Sequence, residues 1–188
     1  MPECWIMPAE IQDPKAPNKC TPNVPVDIAA LTALGVSYRH LDLSDLLKNA
    51  EKLETPILAL KKELGYVGHD IVCISPDKHL GGPTAFEDQL KIFFTEHIHE
   101  DDEVRLILYG AGYFDVRNTD NAWVRIYVKP GDFLLLPAGI AHRFTVDHTQ
   151  HTEALRLFKE NPKWLAITPP FDNNPARQEY LQFLNKHK

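Results

Sequence analysis

The rhythm of apolar positions changes part-way along the chain. Residues 1–25 carry Pro2, Pro8, Pro14, Pro17, Pro22 and Pro25, which exclude a long helix, although Trp5 and Ile6 suit a short strand around residues 4–7. Residues 26–42 then read as a helix: Asp27 can cap it, Ile28, Leu31 and Leu34 fall at helical spacing, and Gly35 can end it. Residues 43–65 predict one or two more helices, capped by Ser44, striped by Leu46, Leu47, Leu53, Ile57, Leu58 and Leu60, punctuated by Pro56 and stopped at Gly65. A short strand follows at residues 70–76, closed by Pro76. Beyond Phe86 come short stretches rich in β-branched and aromatic residues: LKIFFTEHIH, EVRLILYG, GYFDVRN, AWVRIYVKPG, DFLLLPAG, AHRFTVD and ALRLFKE. Each is bounded by Gly, Pro, Asn or Asp, the texture of an all-β barrel or sandwich. Residues 175–188 predict a closing helix. The pattern therefore describes a mainly β chain forming one domain over residues 1–188. It has a mainly helical part at 1–67, a β-barrel at 68–168, and a tail with a short C-terminal helix at 169–188.

Composition narrows the partners. The 188 residues are 44% hydrophobic, enough for a packed core, and the formal net charge of −6 excludes the basic face of a general nucleic-acid binder or of a protein that binds anionic membranes. No apolar run approaches the ~20 residues of a membrane span. The first residues lack the basic start and continuous apolar stretch of a secretory leader. The three cysteines, Cys4, Cys20 and Cys73, are odd in number and show no CxxC spacing, so a disulfide framework is not expected. The expected setting is cytoplasmic, with the nucleus open as well.

The chemistry concentrates at His97 and His99. On a helix these side chains would diverge by about 200°; on a strand they share one face. The flanking apolar runs favour a strand, with Glu100, Asp101 and Asp102 as the connection to the next one, which Glu103 opens. Further on, Gly131 and Asp132 suit a turn, residues 133–136 a strand, and Pro137 and Gly139 a second turn that delivers His142. Three imidazoles and a carboxylate suit a borderline divalent ion, and four ligands on an octahedral ion leave two positions open. The pattern His-x-His-x3-Glu-x6-Gly, then Gly-x5-Pro-x-Gly-x2-His, resembles the two motifs of the cupin superfamily, a double-stranded β-helix (jelly-roll) barrel. Arg105, two residues past Glu103, shares its face and points into the barrel, either as a counter-ion for an anionic substrate or as half of a structural ion pair. Arg143 has the opposite parity to His142 and should point away. Phe93 and Phe144 stand close to ligands and can line a pocket. His40, His69, His79, His148, His151 and His187 are expected at the surface or core edge, and Cys73 in strand packing.

The closer resemblance is to the acireductone dioxygenase family in its eukaryotic form. It is carried by HIHEDDEVRLILYGAGYFDVRNTDNAWVRIYVKPGDFLLLPAGIAHRFTVD, by VPVDIAALTALGVSYRHLD near the start, and by TEALRLF and ARQEYLQFL near the end. The resemblance implies a metal held by His97, His99, Glu103 and His142, one Fe(II) or Ni(II) per chain, in a monomer. It implies a methionine-salvage substrate, 1,2-dihydroxy-3-oxo-5-methylthiopentene (acireductone), and O2. With Fe(II) the implied products are 4-methylthio-2-oxobutanoate and formate; with Ni(II) they are 3-methylthiopropanoate, formate and carbon monoxide. The chain departs from the family pattern at Tyr109, at Ala141 and across residues 164–170, none of them ligands. Two rival readings are another metal-dependent cupin enzyme, such as a quercetin-type dioxygenase or a sugar isomerase, and a non-enzymatic, metal-stabilised interaction module.

Overall fold

The computed structural model describes residues 2–43, 50–79, 81–160 and 162–186. Ser44, Leu46, Leu47 and His187 lie outside the described residues, as does the side chain of Leu53. The elements in chain order are β1 (Glu3–Ile6), α1 (Ile28–Ala33), β2 (Ser37–His40), α2 (Ala50–Leu64), β3 (Gly68–Ile74), α3 (Gly82–Phe94), β4 (Glu103–Gly110), β5 (Gly112–Arg117), β6 (Trp123–Val128), β7 (Asp132–Leu136), β8 (His142–Val146), β9 (Thr152–Phe158) and α4 (Pro175–Lys186). The strands form two antiparallel sheets, ordered β1-β6-β5-β8 and β2-β7-β4-β9-β3. No helix among the described residues is long and apolar enough to cross a membrane.

Three local expectations change. The helix expected over residues 26–42 is only α1. The Asp27 carboxylate accepts from the Ala30 N–H at 2.8 Å, and Gly35, at φ +78°, ends the helix. The residues after it then extend into β2, where Ser37 pairs with Leu135 and His40 with Asp132. With β1, the mainly helical N-terminal part thus also gives each sheet an edge strand.

Pro56 does not break α2, which runs through it. Proline inside a helix costs about 3 kcal/mol. Ile57 and Leu60 are buried against Val104, Leu106, Phe133 and Leu155, and such side chains contribute ~1.5–3 kcal/mol each, which offsets the loss. The third change matters most for the site. LKIFF, expected as a strand, is the last part of α3. Phe86 and Leu90 are its buried residues, and Phe93 lies one turn further, so the 3.6-residue period prevails over the β propensity of Ile92, Phe93 and Phe94. Helix α3 packs on β8 and sets Phe93 edge-on to Phe144, ring centres 6.4 Å apart.

On the outer side of the smaller sheet, Asp115 faces Arg125 on one neighbouring strand and Arg143 on the other. Arg125 donates to both Asp115 oxygens, at 2.7 and 2.9 Å, Arg143 donates at 2.8 Å, and Arg125 also donates to the carbonyls of Pro14 and Ala16. Arg143 therefore points away from the His142 side, as its parity requires. Asp115 and Arg125 are fully buried, so removing one charge strands the other in low dielectric. Asp115→Ala is expected to cost about 3–5 kcal/mol in denaturant unfolding. Arg39→Ala, which breaks an exposed pair with Glu63, is expected to cost under ~1 kcal/mol.

Candidate metal centre

Two stretches far apart in sequence meet through the main chain. The His97 N–H donates to the His142 carbonyl at 3.1 Å, and the His142 N–H returns a bond to the His97 carbonyl at 2.9 Å. The next residue, Ile98, is fully buried on the opposite side with Ala141 and Phe171, and pairs with Ile167. That alternation turns His97 and His99 to the same side, although the stretch pairs only through isolated bridges and no strand precedes it. Gly139, at φ +79°, donates to the His99 carbonyl at 2.9 Å and closes the turn that delivers His142.

Each imidazole is oriented by a carbonyl. The Nδ1–H groups of His97, His99 and His142 donate to Thr95 O at 2.7 Å, Leu165 O at 2.8 Å and Ile140 O at 2.9 Å. A carbonyl only accepts, so each Nδ1 carries the proton, and a neutral ring then aims its Nε2 lone pair into the barrel. The three rings converge with centres 4.4–5.3 Å apart. Their ligand nitrogens lie within 4.8 Å of one another. Glu103 Oε2 stands 3.2 Å from His99 Nε2 and 3.4 Å from His142 Nε2. The latter approach is electrostatic: the buried His142 Nε2 has no hydrogen-bond partner.

Electrostatics sharpens the picture. Burial, followed by the neighbouring His142, pushes the His97 pKa down to about 4, so the ring stays neutral. Burial works to raise the Glu103 pKa. The Arg105 guanidinium, 3.4 Å away, and the two imidazoles outweigh it and hold the carboxyl well below its usual range. Three lone pairs and a carboxylate thus face one another at a buried point. That arrangement repels itself unless a cation occupies the middle, and nitrogen and oxygen donors of this kind fit a borderline divalent ion. The four residues expected from the sequence are the four brought together.

Beside them lies a cavity of about 300 Å³. Arg105, Phe93 and Phe144 line it, as do Phe114, Gln89 and Trp164. Arg156 also lines it and was not anticipated. It is the cross-strand partner of Arg105, it donates to Asp70 at 2.7 Å, and Trp164 covers its guanidinium at 4.2 Å. Its signal was present in β9, where Thr152, Ala154 and Arg156 alternate on the cavity side. Two arginines side by side repel; Glu103 and Asp70 partly offset this and leave a cation-rich wall. The departures from the family pattern avoid the ligands. Ala141 packs with Ile98 on the far side, Tyr109 is exposed, and His99 is oriented by a main-chain carbonyl while the Leu165 side chain stays 69% exposed.

A histidine-carboxylate cage set inside a two-sheet barrel defines the metal-binding cupins, and this chain has their fold. Comparison with known proteins is more specific. The chain belongs to the ARD/ARD' family, whose family model matches residues 3–166. It is 44% identical over 187 residues to an acireductone dioxygenase of Leishmania braziliensis, a match covering 98% of this chain and 53% of that protein. It is 42% identical to the Gallus gallus acireductone dioxygenase, with 98% and 97% covered, and 42% identical to that of Homo sapiens, with 98% of both covered. The chain spans about half the length of the Leishmania relatives. A solved structure, acireductone dioxygenase from Bacillus anthracis with a cadmium ion in its active centre, matches with a TM-score of 0.69 and 25% identity over 89% of this chain and 98% of that one.

His97→Ala and Glu103→Ala are each expected to stop the chain retaining an equivalent of Fe(II) or Ni(II) through gel filtration, read by plasma emission. Full retention by both variants contradicts the four-residue centre.

Proposed function

We propose that the chain is an acireductone dioxygenase of methionine salvage, cleaving 1,2-dihydroxy-3-oxo-5-methylthiopentene with O2, with His97, His99, Glu103 and His142 as ligands of one Fe(II) or Ni(II). One observation carries the reading: four convergent acceptors open onto a cavity walled by two arginines, in a chain of the ARD/ARD' family. A bound ion would supply open coordination positions and redox or Lewis-acid capacity at the meeting point of those acceptors.

The chain's own residues do the rest. The substrate is an enediol whose ionised form is doubly charged. Arg105 and Arg156 can offset that charge in a recess where little water competes, and there such pairing is strong. Phe93 and Phe144, edge-on to each other, form the apolar wall against which the methylthio chain lies, and so bear on which carbons meet O2. Among the described residues, no serine or cysteine side chain lines the cavity. The reaction asks for none, because the electron-rich substrate is itself the reductant of O2.

With Fe(II) loaded the expected products are 4-methylthio-2-oxobutanoate and formate; with Ni(II) they are 3-methylthiopropanoate, formate and carbon monoxide. The proposed setting is a cytoplasmic, also nuclear, monomer.

Assay of the purified Fe and Ni forms with generated acireductone and O2 tests the reading, and absence of substrate loss in both forms contradicts it. Arg105→Met is expected to retain metal while kcat/KM falls roughly 10²–10³-fold, the scale of losing one charge-stabilising donor; an unchanged kcat/KM would remove Arg105 from the proposed role.

A further inference from the structure

A second group of metal-ligating side chains lies on the other side of the β3–β9 wall. Val72, Ile74, Thr152 and Ala154 line the cavity, and strand alternation turns the residues between them outward. Cys73 is the direct cross-strand partner of Glu153. His151 precedes Glu153 by two residues and so shares its side. The Cys73 Sγ lies 3.7 Å from His151 Nε2 and 3.5 Å from Glu153 Oε1, and the latter two atoms are 3.2 Å apart.

That triangle has the dimensions of a tetrahedral site. Zinc bonds of ~2.3 Å to sulfur and ~2.0 Å to nitrogen and oxygen at tetrahedral angles require edges of ~3.6, ~3.5 and ~3.3 Å. Right-angled octahedral coordination with the same bonds would shorten them to ~3.1, ~3.1 and ~2.9 Å. The donors are also convergent in a way that a nucleophilic triad is not. In a triad the acid would bind the imidazole nitrogen remote from the thiol, whereas Glu153 and Cys73 both address Nε2.

The frame is held before any ion arrives. The Ala111 N–H donates to the His151 carbonyl at 3.0 Å, and Gly110, at φ +68°, approaches that carbonyl so closely that a Cβ there would collide with it. A bulge in β4 after Ile107 sets Tyr109 opposite Glu153, and the Tyr109 ring lies against His151 at 4.8 Å. The cluster corrects two expectations. Cys73 is not simply strand packing, and His151 is not an isolated surface histidine.

We propose that Cys73, His151 and Glu153 form a second metal site, on the outside of the barrel, for zinc or a similar borderline divalent ion. Three protein ligands with His151 29% and Glu153 30% exposed leave the fourth position to water, so the ion is exchangeable rather than sealed in. It clips β3, the edge strand of its sheet, to β9, whose other face carries the cavity wall.

Cobalt(II) alone is the probe, titrated into the full chain already loaded at the histidine-carboxylate centre. That centre has no sulfur, so a thiolate-to-cobalt charge-transfer band in the near ultraviolet reports only on a cysteine site. The expected result is a band that saturates at one cobalt per chain and is bleached by zinc. Cys73→Ser should lose it, Cys20→Ser should keep it, and Glu153→Gln should need at least ~10-fold more cobalt, since even indirect partners of a ligand contribute that much. No band in the unsubstituted chain, or a band that survives Cys73→Ser, overturns the proposal.

Discussion

The exchange of main-chain hydrogen bonds between His97 and His142 is the contact on which the site depends. It joins two turns that sequence separates, and by doing so fixes which side of each segment faces inward. Parity then does the rest: Ile98 and Ala141 turn to one packed cluster while His97, His99 and His142 turn to the other side. Carbonyl partners fix every ring proton at Nδ1, so the histidines meet as three lone pairs rather than as mutual donors. With Glu103 among them the point calls for a cation, and the demand comes from backbone geometry more than from any single side chain.

Charge is treated differently on the two sides of the barrel wall. Outside the smaller sheet, Asp115 is flanked by Arg125 and Arg143 in a closed, fully bonded set that anchors the segment around Pro14 and Ala16. Such a set is neutral in purpose and specifies register. Inside the larger sheet, Arg105 and Arg156 are neighbours of like charge, each with an acid on only one side. An arrangement that leaves cations facing an apolar recess is costly without a ligand, which is the reason to read it as a binding surface.

Much of this was legible in the sequence because short-range rules governed it. The spacing of His97, His99, Glu103 and His142 needs only strand alternation and two glycine turns, and the structure keeps both. The inward aim of Arg105 and outward aim of Arg143 follow from the same rule. The errors arose where two periods competed. Residues 90–94 satisfy a helix through Phe86, Leu90 and Phe93 and a strand through Ile92, Phe93 and Phe94; packing on β8 decides for the helix. Residues 36–40 continue a helical pattern until Gly35 is placed at positive φ and β7 offers an open edge. Arg156 and the Cys73–His151–Glu153 group were hidden for another reason: their partners come from strand pairings that no local pattern announces, and a bulge at Tyr109 shifts the register that would have revealed them.

The central claim is the identity of the donors around the ion. X-ray absorption at the nickel edge of protein loaded with one equivalent of Ni(II) measures this directly. The account predicts a shell of nitrogen and oxygen only, with the outer scattering of three imidazoles. Sulfur in the shell, or fewer than three imidazoles, would contradict it and move the ion away from His97, His99, Glu103 and His142.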